Sequence, residues 1–170
     1  MTAATEHSPV DASKSSPAIH ANNVIIKNVD GKGRGVFANQ DFKQGDLVIV
    51  GKPLEIIKTR TMTSLQVAWD DHAELDEPAC VTNHSCDPNT GIKNNEHGGY
   101  SFHALRDIAA GTEITWDYNT TEYLSIAVPS CCCGSDNCRG QTPGFKFLEE
   151  ELRSRFGDYI GGYLKEPENA

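Results

Sequence analysis

Gly33-Arg34-Gly35-Val36-Phe37-Ala38, followed a few residues later by Gln44-Gly45-Asp46-Leu47-Val48-Ile49-Val50, is the stretch on which the fold class turns. Its first half satisfies the loose dinucleotide pattern G-x-G-x-x-A. That pattern needs a helix to follow, so that the helix N-terminus can hold a pyrophosphate. A turn at Gln44-Gly45 comes instead, then a second β-branched run within about a dozen residues, too short for a parallel crossover. A doubly wound α/β fold is thereby set aside. What remains of the glycines is a backbone that a ligand can approach closely, or merely a tight turn.

The chain on either side has the same texture. Val24-Ile25-Ile26, Val36–Ala38 and Leu47–Val50 read as short strands, as do Leu54–Ile57, Leu65–Trp69, Gly99–Ala104 and Glu113–Trp116. Gly, Pro, Asn and Asp divide them, and Gly111 supplies the turn before the last. That spacing predicts a mainly β protein of several small folded sheets. Only the C-terminus looks strongly helical. Phe145, Leu148, Leu152 and Phe156 recur at helical spacing, with Thr142-Pro143 to start the helix and Gly157 to end it.

The 170 residues suit one domain that can bury a core without disulfide staples. Residues 1–22 are rich in Ala, Ser and Thr, poor in large apolar side chains, and read as a disordered tail. No apolar run approaches a membrane span, and the N-terminus lacks the apolar core of a signal peptide, so a soluble intracellular protein is expected, with no membrane partner. Cytoplasm and nucleus are not resolved. The formal charge of −9 argues against direct nucleic-acid binding and favours cationic partners. Asp70, Asp71, Glu74, Asp76, Glu77 and Asp87 concentrate part of that acidity. They either steer a cationic substrate or form a solvated acidic surface.

Cys131, Cys132, Cys133 and Cys138 fall within eight residues. Cys131-x-Cys133-x-x-x-x-Cys138 lets three thiolates converge from one turn, while Cys132 points the other way in an extended segment. Tetrahedral structural zinc needs a fourth ligand. The candidates are Cys132, Cys80, Cys86 or a histidine. Reduced thiols and disulfides are the bland alternatives, and the latter lack the secretory context they need.

Asn83-His84-Ser85-Cys86-Asp87-Pro88-Asn89 is dense in hydrogen-bonding side chains. His84 and Cys86, two apart, admit a cysteine-nucleophile reading, although no oxyanion hole is signalled. Further on, Trp116 and Tyr118 share one face of Glu113-Ile114-Thr115-Trp116-Asp117-Tyr118-Asn119, for which core packing is the default explanation.

Taken in order, these segments resemble the SET-domain family of protein-lysine methyltransferases. The resemblance rests on G-x-G with V-F-A at 33–38, N-H-S-C-D-P-N at 83–89, L-R-D-I-x-x-G-T-E-I-T-W-D-Y-N at 105–119 and C-x-C-G-x-x-x-C-R-G at 131–140. It implies a SET domain over 23–124, a post-SET zinc segment over 125–141 and a helical extension over 142–170. The implied cofactor is S-adenosylmethionine, bound by Lys32, Gly33, Arg34, Gly35, Asn83, His84 and Tyr118. The implied catalytic residue is Tyr118. Trp116 stands where the family usually has Phe or Tyr, a position that helps set methyl number, and Tyr100 joins it in the expected substrate channel. Cys86 joins Cys131, Cys133 and Cys138 on a structural zinc, leaving Cys80 and Cys132 without a role. The implied substrate is a lysine-bearing, basic protein or peptide. A non-catalytic SET-like binding module and a methyltransferase for small amines are the alternatives.

Overall fold

The computed structural model describes residues 23–166, so the tail expected over 1–22 lies outside the described residues. Three small sheets carry the fold. The first runs β1 (Val24–Val29), β2 (Gly33–Ala38), β10 (Glu113–Trp116) and β7 (Asn83–His84). The second places β9 (Tyr100–Ala104) between β3 (Leu47–Val50) and β8 (Thr90–Asn94). The third places β6 (His72–Leu75) between β4 (Pro53–Ile57) and β5 (Leu65–Gln66). All pairings are antiparallel except β7 with β10, which aligns Asn83 with Thr115 and His84 with Trp116.

The expected mainly β architecture is therefore present, with differences that have local causes. The strand expected over Leu65–Trp69 stops at Gln66, because Val67 and Ala68 turn back to donate to the Asp71 carbonyl. β6, β7 and β8 were not expected. Their sequences mix His, Glu, Asn, Thr and Lys, and their strand identity comes from partners that are distant in sequence.

Val36, Val48, Ile49, Ile92, Phe102 and Ile114 fill the space between the first two sheets and are almost wholly shielded from solvent. Aliphatic and aromatic burial of this kind contributes roughly 1.5–3 kcal/mol per side chain. Tyr100 belongs to this core too. It is fully buried, and its hydroxyl donates to the Gln66 carbonyl at 2.6 Å. The expectation that it lines a substrate channel is corrected by that packing.

The C-terminus builds a second core. Phe145, Leu148, Phe156, Ile160, Tyr163 and Leu164 cluster with Trp69 and Tyr123 packed against them. The Trp69 ring meets Tyr123 and Tyr163 edge-on, with centroids 5.0 and 5.2 Å apart. The long helix expected from Phe145 to Phe156 is instead a 3-10 turn at Phe145–Phe147 and a helix, α1, at Glu150–Phe156. Leu148 and Glu149 are extended between them, and Arg153 caps the break by donating to the carbonyls of Phe145, Lys146 and Leu148. The periodic apolar residues reach the same core by a bent path. Residues 117–122 are caught between the two cores: Gly161 N–H reaches the Thr120 carbonyl, and the Tyr163 hydroxyl donates to the Thr121 carbonyl.

Candidate functional site

The segment 83–89 is the frame of the site, and nearly every polar group in it has a partner. Asn89 clamps β10 with both ends of its amide, donating to the Glu113 carbonyl at 2.8 Å and accepting from Thr115 N–H at 2.9 Å. Ser85 N–H donates to the Trp116 carbonyl, and Thr90 Oγ1–H to the Thr115 carbonyl. Asp87 pairs with Arg106 at 3.4 Å and with Arg155 at 2.6 Å, which ties the frame to α1. A short parallel pairing of two residues would be weak alone; these side-chain clamps make it rigid.

On one side of this frame lie the glycines. Asn83 Nδ2 donates to the Arg34 carbonyl at 3.0 Å and to Glu113 Oε1 at 2.8 Å, while Lys32 approaches Glu113 Oε2 at 3.5 Å. A Cβ on Gly35 would lie 2.8 Å from Asn83 Nδ2, Glu113 Oε1 and Val29 Cγ2, so any larger residue would push the Asn83 and Glu113 side chains aside. Gly33 has φ +80° with open space beyond its Cα. Lys32, Gly33, Arg34, Gly35 and Asn83 thus lie together around an accessible backbone with cationic and carboxylate side chains beside it. Such a surface suits a zwitterionic amino-acid moiety, which fits the methionine end of S-adenosylmethionine.

The His84 ring is turned inward on the protein itself. Buried and 6% exposed, its Nδ1 accepts from Tyr118 N–H at 3.3 Å and its Nε2 faces Cys86 Sγ at 3.3 Å. Burial lowers its pKa to about 4 despite Asp117 nearby, so the ring is neutral, with the proton on Nε2. Both nitrogens are engaged within the protein.

Cys86, Cys131, Cys133 and Cys138 come together, with all four Sγ atoms within 4.8 Å of one another. Four convergent thiols and no competing carboxylate are the donor set of a closed tetrahedral zinc site, so these residues fit the metal. Burial pushes the Cys86 and Cys131 thiols up. For Cys133 burial is outweighed by donors, Ser135 Oγ first among them, and its thiol falls to about 5. The segment is held as a closed loop by Ser125 N–H to Pro143, Thr142 N–H to Val128 and Cys131 N–H to Gly140. Arg139 fastens it inward, with its backbone N–H on Cys86 Sγ and its guanidinium 2.6 Å from the buried carboxylate of Asp117. Cys132 is exposed and outside the cluster, and Cys80 is elsewhere.

On the other side of the frame a cavity of about 140 Å³ opens, lined by Trp116, Tyr118, Thr82, Cys80, Glu122 and Arg60, with loop residues around them. Trp116 and Tyr118 do share one surface, with ring centroids 4.8 Å apart. The Trp116 Nε1–H and the Tyr118 hydroxyl both donate to the Thr82 carbonyl, at 3.2 and 3.1 Å. Burial raises the Tyr118 phenol to about 12, so it stays a hydrogen-bond donor at neutral pH. Tyr118 therefore touches both halves of the site: its backbone rests on His84 and its hydroxyl faces the cavity.

Glu122 and Arg60 were not singled out by sequence. Glu122 accepts from Gln66 N–H at 2.7 Å and lies 3.3 Å from Arg60 Nη2. Burial raises its carboxyl to about 7. The signal available in sequence was its position, four residues after Tyr118; its N–H indeed bonds the Tyr118 carbonyl. The acidic run behaves otherwise. Asp71, Glu77 and Asp87 pair with Lys58, Arg34 and the two arginines, Asp76 accepts from Lys52 N–H, and Glu74 accepts from Thr61 and Thr63. Among the described residues no helix is long and apolar enough to cross a membrane.

A family model described as the SET domain matches residues 33–119. "Methyltransferase flvH" of Aspergillus flavus is 30% identical over 99 residues, 57% of this chain and 54% of that protein. "Histone-lysine N-methyltransferase, H3 lysine-9 specific dim-5" of Neurospora crassa is 31% identical over 112 residues, 56% of this chain and 30% of that protein. Among solved structures, KRYPTONITE in complex with mCHG DNA and SAH has the same fold, with a TM-score of 0.57 at 19% identity, over 72% of this chain and 29% of that one. The chain thus spans about half, or less, of these relatives.

Proposed function

This chain belongs to the SET-domain family, and from that premise we propose that it transfers methyl groups from S-adenosylmethionine to the side-chain amine of a protein lysine. The observation that carries this reading is the double engagement of Tyr118, whose backbone rests on His84 of the glycine-lined face while its hydroxyl lies in the Trp116 cavity. When bound, the cofactor supplies an electrophilic methyl group. Lys32, Gly33, Arg34, Gly35 and Asn83 would hold it. A structural zinc on Cys86, Cys131, Cys133 and Cys138 would hold the loop that closes the site.

The chain's own residues then have limited tasks. An amine must lose a proton from an ordinary pKa of about 10.4 before it can act as a nucleophile. The Trp116 and Tyr118 rings disfavour its charged form by excluding water. The Tyr118 hydroxyl, kept protonated, orients a polar group at the end of the cavity, and the Thr82 carbonyl fixes that hydroxyl in turn. Trp116, anchored on the same carbonyl and edge-on to Phe102 at 5.7 Å, sets the cavity width and so limits how many methyls a lysine can gain. The substrate is a lysine-bearing, basic protein segment. Within the proposal, 23–124 is the SET domain, 125–141 the post-SET segment and 142–170 the extension.

Methyl transfer from labelled cofactor to a panel of lysine-rich proteins and free amines, read by mass spectrometry, tests the reading. Labelled lysine in a protein is the expected product. Label on free amines alone would move the substrate class to small amines, and cofactor binding without any transfer would leave a binding module.

A further inference from the structure

The cavity beside Tyr118 has one acidic lining residue, Glu122, and one basic one, Arg60. One acceptor near the two aromatic rings, the Thr82 carbonyl, already receives both the Trp116 Nε1–H and the Tyr118 hydroxyl. A carbonyl oxygen offers two lone pairs, so that acceptor is spent. Glu122 is not. Its carboxylate has about four acceptor sites; one takes Gln66 N–H at 2.7 Å and another interacts with the Thr121 side chain, which leaves capacity over. Arg60 Nη2 stands 3.3 Å from Oε2, longer than the roughly 2.7–2.9 Å of a full charged hydrogen bond. The same Nη2 also serves the Leu124 carbonyl, and Arg60 Nε is buried without a partner. The guanidinium therefore neutralises Glu122 incompletely. A carboxylate at 6% exposure with acceptor capacity left over is costly unless a donor arrives.

We propose that Glu122 is a specificity-determining residue that selects a cationic amine, its carboxylate accepting hydrogen bonds from the ammonium form in which the lysine arrives, before that amine gives up its proton beside Tyr118. This deepens the lysine-methyltransferase reading and rests on it. Glu122 is well placed for the task, because its backbone N–H bonds the Tyr118 carbonyl at 3.1 Å and its carbonyl accepts Phe145 N–H at 2.7 Å.

The test needs no turnover. n-Butylammonium, a mimic of the lysine side chain, and 1-butanol, its neutral counterpart, are titrated into the full chain at pH 8.5, and the Trp116 indole N–H resonance is followed. Roughly tenfold tighter binding of the ammonium is expected, in line with one charge-assisted hydrogen bond. Glu122→Gln should abolish the preference while retaining the acceptor for Gln66, and Glu122→Asp should keep part of it. Equal binding of the two probes by the wild-type chain, no binding of either, or a preference that survives in Glu122→Gln would each overturn the inference. Methyl transfer without any ammonium preference would refute the role of Glu122 alone; an ammonium preference without methyl transfer would refute the enzymatic reading.

Discussion

The two halves of the site are built by different means. The glycine-lined half stands on paired strands, where β2, β7 and β10 place Gly35, Asn83 and His84 and Asn89 clamps them from behind. The outer half is made of loops: residues 60–65, 122–127 and the cysteine segment, which meets the core through Cys86 and the Arg139–Asp117 pair. A strand-built half has its geometry set by backbone ladders and persists without ligands. A loop-built half with few backbone ladders needs a cross-link, here four thiols suited to zinc, and a cap, here the Phe145–Leu164 core.

That contrast can be broken most directly at the metal. Chelation, or Cys133→Ser, should release the loop between Val128 and Gly140 to protease while leaving β1, β2, β7 and β10 protected in hydrogen exchange. Structural zinc sites supply on the order of 10 kcal/mol, so cleavage should accelerate by orders of magnitude. Loss of protection in both halves at once would show that they form one cooperative unit.

Next in size is Tyr118→Phe, which removes the hydroxyl at the junction and leaves the His84 contact with the backbone N–H intact. Turnover should fall by about a hundredfold or more, the scale of losing one preorganised polar group at the reacting centre. Cofactor affinity by calorimetry should change little. A near-normal rate would remove Tyr118 from its assigned role.

Glu122→Gln gives a smaller, pH-dependent effect confined to the outer half. The folded carboxyl sits at about 7, above its unfolded value of about 4.3. The folded state therefore binds that proton more firmly, and the associated stability is fully present below pH 4.3 and lost as pH rises through 7. Raising pH from 5 to 8 should cost the wild-type chain stability relative to Glu122→Gln, at most roughly 3 kcal/mol, and thermal melts at several pH values check it. Parallel melting curves at all pH values would contradict the raised carboxyl.

The smallest effect is expected from the acidic run. Reversing Asp70, Asp71 and Glu74 should raise an apparent KM at low salt by less than about threefold, because Asp71 and Glu74 already have partners in the protein. A much larger salt-sensitive rise would restore long-range steering as a main contributor to substrate capture.

Much of the candidate site was legible in the chain because its determinants are local. Gly33-x-Gly35, Asn83-His84 and Trp116-x-Tyr118 keep their relations at any register of the surrounding strands, and Cys131, Cys133 and Cys138 lie in one turn. Glu122, Arg60 and Thr82 were not legible, since nothing in their neighbours distinguishes them from surface residues. Tyr100 misled for the related reason that an aromatic on a strand can face either a channel or a core; here the Gln66 carbonyl holds it in the core. The cap misled differently: helical spacing continued through Leu148, but Arg153 satisfied the freed carbonyls and allowed a bend.

The order of residue types along the chain determined the small-sheet class, the glycine-opened backbone and the clustered thiols, because turns, alternation and short-range ligand spacing act over a few residues. Only the tertiary structure decided that the His84 ring serves Tyr118 and Cys86, that Cys86 lies among the other three thiols as the resemblance implied, and that Glu122 and Arg60 line the Trp116 cavity. Those outcomes depend on which distant segments share a desolvated space, where charges and hydrogen bonds weigh far more than in water.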